Sequence, residues 1–293
     1  MELIRKNNAQ IPQVRINEGV EYLTYPSISR LDGIVHAFST RIGGVSEGIY
    51  ESMNLSFTRG DDEERVRENF RRFTAAIGIE YESVVMSDQT HTTNVRRVTA
   101  KDRGNGLTRP KDFFDTDGLI TNEPGVALIC SFADCVPLFF VDAENKAIGL
   151  THSGWRGTVG RIGRNTIQKM GEEFGSRPEN IIAAIGPSIC VDCYEVSEDV
   201  ALSFINEFGD RASEIVFKQK DYYREHGIER EAVEGKYQLD LWKANEIVLT
   251  EAGIRPENLS CTNICTCCNP DYLFSHRASH GQRGNLVGAL MIK

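Results

Sequence analysis

The chain has 293 residues, 40% hydrophobic and 26% charged, with a formal net charge of −9. This is the balance of a soluble globular protein with material for a sizeable core. The acidic charge and the lack of a long basic run disfavour a general nucleic-acid binder, whose phosphate contacts need clustered Lys and Arg. No window approaches the roughly 18 apolar residues of a membrane span. The opening MELIRKNNAQIPQV has no apolar stretch of signal-peptide length.

These features set the expectation of a cytoplasmic protein that needs neither membrane nor nucleic acid. In a reducing compartment the eight cysteines are expected to be free, metal-bound or reactive rather than paired in disulfides.

Residues 11–59 look β-rich, with VEYLTYPSI and GIVHAFSTR set between Gly, Pro and Asn punctuation. The first helix signal is DDEERVRENFRRFTAAIG. Its acidic start suits a helix N-terminus, Val66, Phe70, Phe73 and Ile77 recur at helical spacing, and Gly78 closes it. Short strand signals follow near 83–86, 94–99 and 117–121. GVALICSFADC, VPLFFVD and KAIGLTH then read as central strands, because they are apolar runs too short for helices.

Helices are predicted over 156–174, 197–208 and 239–252, alternating with strands at 180–186, 214–218, 259–264 and 286–292. The charged stretch 218–236 reads as an exposed loop or lid. With no repeat and no Pro/Ser-rich linker, the pattern predicts one domain over 1–293, α+β or mixed α/β in class.

Six histidines are present. His91 in SDQTHTTNV and His152 in LTHSGWRG sit at the edges of apolar segments, and Cys135 follows Asp134 in SFADCVPLF. Two imidazoles and a thiolate would leave tetrahedral Zn2+ one open position, as in catalytic rather than structural sites. The same residues fit a Cys/His nucleophilic pair, in which His152 lowers the pKa of Cys135. The spacing alone leaves both readings open, beside a core histidine and an inert buried thiol.

Further along, Cys265-x-x-Cys268 precedes His276 and His280. The gap of seven residues from Cys268 to His276 is too short for a classical zinc finger. This region reads as a cysteine-rich strand end. Arg41 in STRIGGVSEG, Arg156 in HSGWRG and Arg277 in FSHRASHG stand in turn-like contexts where guanidinium groups can grip phosphate.

In order along the chain, FSTRIGGVSEGIYESMNLS, SDQTHTTNV, TDGLIT, ADCVPLFFVD, GLTHSGWRGT, AIGPSICVDCYEV, LDLWKAN and FSHRASHGQRGN resemble the YfiH-type purine nucleoside phosphorylases. That family is also described as peptidoglycan editing factors and, in older usage, as multicopper polyphenol oxidases or laccases. The resemblance covers nearly the whole chain.

It implies an α+β fold in which mixed β-sheets form a sandwich-like core flanked by helices, and one metal held by His91, Cys135 and His152. Zn2+ is the expected ion, with Cu2+ as the alternative. The implied reaction converts adenosine, inosine, guanosine or methylthioadenosine with phosphate to free base and ribose 1-phosphate, with adenosine deamination beside it. Arg41 and Arg277 are then assigned to phosphate or ribose and Asn54 to substrate hydrogen bonding. Asp134 is assigned to orienting a ligand or touching substrate, and Arg156 either to substrate or to a helix start. GQRGN departs from the Thr-Gly-Arg pattern of many relatives, which leaves open whether Arg283 takes that arginine's place.

Two other activities compete. A copper polyphenol oxidase is disfavoured because a multicopper centre draws on more imidazoles than the six this chain has. A Cys-nucleophile amidohydrolase acting on peptidoglycan precursors remains a distinct class.

Overall fold

The computed structural model describes residues 3–293. Its first sheet is built from β1 (Gln13–Asn17), β2 (Val20–Thr24), β3 (Ile34–Ser39), β4 (Val84–Met86), β7 (Ala127–Phe132) and β15 (Leu286–Ile292), in the order β1-β2-β3-β15-β7-β4. The second sheet takes β5 (Val95–Arg97), β6 (Gly118–Thr121), β8 (Val136–Asp142), β9 (Ala147–Ser153), β10 (Ile182–Ile185) and β14 (Leu259–Cys261), in the order β14-β10-β8-β9-β6-β5. A small third sheet has the order β11 (Glu195–Ser197), β13 (Lys236–Leu239), β12 (Val216–Lys218). Among the described residues seven α-helices accompany them: α1 (Pro26–Ser29), α2 (Glu63–Ala76), α3 (Trp155–Val159), α4 (Ile162–Phe174), α5 (Glu198–Phe208), α6 (Gln219–His226) and α7 (Leu241–Glu251).

The apolar runs of the central strands are continuous because both faces are covered. From β7 and β15, Leu128, Cys130, Phe132, Leu286 and Leu290 meet Phe139, Val141, Ile148 and Leu150 of the second sheet. The intervening residues Ile129, Val287 and Ala289 turn the other way, onto Val66, Phe70 and Phe73 of α2. On the far side Leu138 and Phe140 pack against Ile167 and Met170 of α4 and Ile247 and Val248 of α7. The result is four layers, helix, sheet, sheet and helices, with the predicted sandwich in the middle.

Helix α2 forms for the reasons its sequence suggests. The Asp62 carboxylate accepts from the Arg65 backbone N–H at 3.0 Å, Glu63 and Glu64 occupy the first turn, and Gly78 takes a left-handed φ of 71° just beyond the end. Phe70 and Phe73 are fully buried, and removing either ring would cost about 3–5 kcal/mol.

Two expectations change. The helix predicted over 156–174 is two helices, α3 and α4, because Arg161 adopts a left-handed conformation (φ 56°). Its guanidinium pairs with Glu207 and, at 2.6 Å, with Glu251. Within 218–236 the chain forms helix α6 before the remaining turn, and the segment lines a surface cleft of about 1200 Å³.

Two of the crossings between the main sheets matter for the site. The chain leaves the first sheet at the end of β7 and enters the second at β8 through only Ala133, Asp134 and Cys135. It also crosses from β4 to β5 through a segment that contains His91.

Candidate active site

The corner between β7 and β8 is sharp. Asp134 holds a left-handed φ of 81°, a conformation that costs a non-glycine residue free energy unless its surroundings stabilise it. They do. Asp134 Oδ1 accepts from Thr266 Oγ1 at 2.6 Å and Oδ2 from the Arg277 backbone N–H at 2.7 Å, while its carbonyl accepts from Ile189 N at 3.0 Å. The next residue, Cys135, is thereby set at the mouth of the second sheet.

His152 lies in β9 opposite Pro137 of β8. His91, at φ 66°, arrives from the β4–β5 crossing. One ligand atom from each of His91, Cys135 and His152 can be chosen so that all lie within 4.8 Å of one another. The three residues that sequence chemistry singled out are therefore brought together.

Asp117, just before β6, organises them. Its fully buried carboxylate accepts from His152 Nδ1 at 2.8 Å, from the backbone N–H groups of Thr90, His91 and Thr92 at 3.0, 3.1 and 3.0 Å, and from Thr92 Oγ1 at 3.2 Å. Burial opposes its charge, but the bond to His152 and the backbone donors hold it below the usual carboxylate range. One side chain thus fixes both the His91 loop and the ring of His152, leaving Nε2 of His152 free to serve as a ligand.

Burial would push the Cys135 thiol up, yet the imidazoles of His152 and His91 beside it bring it down to about 6. For His152, burial works against the charged ring, but the Cys135 sulfur and the Asp117 carboxylate outweigh it and raise the ring to about 9. Cys135 is poised as the thiolate, the form that binds metal or attacks an electrophile.

The donor set fits a metal sterically as well. A methyl group in place of the Gly154 hydrogen would lie 3.1 Å from the His91 ring and 3.2 Å from Cys135 Sγ, so glycine keeps open the space where the three ligands converge.

These residues line a cavity of about 250 Å³ together with Arg59, Lys111, Arg283, Ser131 and Asn285. Arg283 is 7% exposed. Its Nη1 donates to Asn285 Oδ1 and, at 3.1 Å, to the Gly284 carbonyl, while its Nε is buried without a partner. Burial and the nearby charge of Arg59 lower its pKa to about 10. Lys111 Nζ lies 2.8 Å from Asp88, and Arg59 is exposed with no ion pair among the described residues. Three cations and one carboxylate, Asp88, therefore face this space, which suits a multiply charged anion.

The other expected contacts lie outside the cavity lining. Arg41 donates to the carbonyls of Pro270 (2.6 Å) and Glu51 (3.3 Å) and stacks on Phe274. Arg277 spends its guanidinium on the carbonyls of Cys193 and Glu195, at 3.1 and 2.8 Å. Arg156 sits in the first turn of α3 with its guanidinium over Trp155.

Asn54 is fully buried, donates to Asp61 at 2.8 Å and accepts from the Asn285 backbone at 2.9 Å, so it braces the cavity wall from behind. Asp134 likewise positions rather than lines. Sequence reasoning missed Asp117, Arg59 and Lys111. Asp117 stood in the motif TDGLIT, but nothing marked it beyond a strand start.

A two-histidine, one-cysteine donor set at the seam of the two main sheets of an α+β domain is one that could hold a single metal ion. The chain belongs to the family described as multi-copper polyphenol oxidoreductase laccase, whose sequence profile matches residues 35–293. It is 34% identical over 263 residues, 89% of each chain, to a Bacillus subtilis protein named purine nucleoside phosphorylase YlmD. It is 32% identical to an adenosine deaminase, RL5, from an unknown prokaryotic organism, over 83% of this chain and 88% of that one. The crystal structure of the Bacillus licheniformis YfiH protein superposes with a TM-score of 0.85 at 29% identity, covering 96% of this chain and 99% of the other.

No helix among the described residues is long and apolar enough to cross a membrane.

Proposed function

We propose that the chain is a zinc-dependent purine nucleoside phosphorylase that also deaminates adenosine at the same site. The observation that carries this reading is the single cavity in which His91, Cys135 and His152 meet Arg59, Lys111 and Arg283. The relatives' names supply the substrate class.

When bound, the metal supplies Lewis acidity, polarising an electrophile or acidifying a water. The rest falls to the protein. Asp117 holds the His152 ring and the His91 loop, so the ligands keep their directions through turnover. Arg283, Arg59 and Lys111 draw in inorganic phosphate and orient it by charge-assisted hydrogen bonds. The unpartnered Nε of Arg283 gains an acceptor when phosphate arrives.

In phosphorolysis the bond between ribose C1′ and purine N9 breaks with its electron pair leaving on the purine, and a phosphate oxygen bonds to C1′. In deamination water replaces the amino group at C6 and ammonia departs, with no need for phosphate.

A panel of purine nucleosides with and without phosphate tests the proposal. Inosine with phosphate should yield hypoxanthine and ribose 1-phosphate, and adenosine without phosphate should yield inosine. Absence of phosphate-dependent base release from every purine nucleoside would sink the reading.

The depressed pKa of Cys135 supports a second reading, a thiolate nucleophile that acts on amides of peptidoglycan precursors. A covalent adduct at Cys135 in metal-depleted, active protein would favour it, and protection of Cys135 from alkylation by stoichiometric zinc would favour the first.

A further inference from the structure

Four of the seven cysteines that the His91–Cys135–His152 set leaves aside are not scattered. Cys190 and Cys193 lie between β10 and β11, and Cys265 and Cys268 lie in the loop after β14, each pair spaced as C-x-x-C. All eight cysteines of the chain are free thiols.

The fold brings the two pairs together. Strands β10 and β14 run parallel as neighbours, and beyond their ends Ser188 bridges to Cys265 while Thr266 N donates to the Ser188 carbonyl at 3.1 Å. The Sγ atoms of Cys190, Cys193, Cys265 and Cys268 all lie within 4.8 Å of one another, with Cys193 and Cys268 at 3.5 Å.

We propose that Cys190, Cys193, Cys265 and Cys268 form a second, structural metal site, a tetrathiolate centre for one Zn2+, separate from the His91–Cys135–His152 cavity.

Geometry favours a single ion. Tetrahedral Zn–S bonds of about 2.3 Å place the sulfurs roughly 3.8 Å apart, which four sulfurs within 4.8 Å of one another can adopt with small shifts. A multinuclear iron–sulfur cluster puts an inorganic core between its thiolates and needs a wider set. Two C-x-x-C pairs from separate loops are the pattern of closed structural zinc sites.

The surroundings fit a centre carrying net negative charge. The Cys190 backbone N–H donates to Cys265 Sγ at 3.2 Å, a bond that stabilises a thiolate. Arg230 and Lys6, the latter paired with Asp192 at 2.7 Å, stand with Cys193 and Cys268 around the outer side of the cluster. Cys190 and Cys265 are fully buried beneath them. Binding exchanges thiol protons for Zn2+, four S–H bonds giving way to four Zn–S bonds with release of the protons and no change of oxidation state.

The position gives this centre a task. Thr266, between two of the ligands, donates to the Asp134 carboxylate, and Arg277 reaches from Asp134 to the Cys193 carbonyl. A metal that fixes the two loops therefore also fixes the left-handed corner before Cys135.

The test is metal content and cobalt spectroscopy on the full chain. Purified protein should hold about two Zn2+ per chain, and the double variant His91→Ala/His152→Ala about one. Replacing zinc by Co2+ in that double variant should give the intense sulfur-to-cobalt absorption of four thiolates, which Cys190→Ser or Cys265→Ser would remove. Cys267→Ser should retain about two Zn2+, since Cys267 is outside the set.

The double variant carries the test even where a cysteine variant fails to fold. If it contains no metal and its Co2+ spectrum lacks the thiolate band, or if Cys193 and Cys268 are recovered as a disulfide, the proposal is overturned. Because none of these readouts uses nucleoside turnover, the outcome is independent of the catalytic reading.

Discussion

Asp117 and His152 form a buried pair, the carboxylate Oδ1 2.8 Å from the imidazole Nδ1, with Asp117 wholly inaccessible and His152 4% exposed. The pair fixes which imidazole nitrogen faces Cys135. Asp117→Asn keeps the shape but weakens the acceptor for His152 and for three backbone N–H groups. Metal affinity should fall about 10- to 100-fold, measured by competition with a zinc chelator, and both activities should fall with it at limiting metal. Unchanged affinity would show that the carboxylate is dispensable for ligand orientation.

Arg283 predicts a split between the two reactions. Arg283→Gln removes a charged donor from phosphate, a loss of about 1.5–3 kcal/mol. The KM for phosphate should rise roughly 10- to 100-fold while adenosine deamination changes little. Arg156→Ala, on the outside of α3, should leave the phosphate KM within about twofold, since exposed changes are usually small. Equal loss of both reactions in Arg283→Gln would move that residue from phosphate binding to general architecture.

Gly154→Ala tests the space between the ligands. The added methyl meets the His91 ring and Cys135 Sγ at 3.1 and 3.2 Å. Overpacking of this kind costs about 1–3 kcal/mol, which should appear as weaker zinc binding, read by isothermal titration of the metal-stripped protein. Circular dichroism should show the fold intact.

Removing metal with a chelator should abolish deamination, and Zn2+ should restore it. Two imidazoles and a thiolate also suit copper, which gives an intense blue thiolate band in trigonal sites of this composition. Colourless active protein with stoichiometric zinc is the expected result. A blue band in freshly purified active protein would reassign the ion.

Stability should fall in acid because of His36, far from the site. Its Nε2 accepts from the Tyr25 backbone N–H at 2.7 Å, and burial lowers the ring to about 4. Between pH ~6.5 and ~4 the unfolded chain takes up a proton at His36 that the folded chain refuses, so stability drops as pH falls through that window, by roughly 3 kcal/mol. His36→Gln keeps an acceptor without a proton to gain. It should flatten this part of the pH profile in urea unfolding, and an unchanged profile would assign the acid sensitivity elsewhere.

The parts of the site that were legible in sequence are those whose chemistry is rare. His91, Cys135 and His152 stood out as reactive groups at the edges of apolar runs, and helix α2 announced itself by period, cap and closing glycine. A turn-like neighbourhood says nothing about where a guanidinium points. Arg41 and Arg277 end on backbone carbonyls, whereas Arg59, Lys111 and Arg283 reach the cavity from three separate loops.

Asp117 was hidden for a related reason: five donors converge on it only after β4, β5, β6 and β9 are assembled. The pairing of Cys190–Cys193 with Cys265–Cys268 rests on the parallel neighbours β10 and β14, a relation that local pattern does not encode. The break at Arg161 likewise depends on carboxylates from α5 and α7.

Cys135 sits where the chain steps from one main sheet to the other, His91 lies on a second such step, and His152 belongs to the second sheet. An ion held by all three would act as a clasp across the sandwich, because sliding one sheet over the other would pull its ligands apart. Loading the site should accordingly slow amide exchange along the facing strands β7 and β9, well beyond the residues that touch the ion, and turn occupancy into a mechanical property of the whole domain.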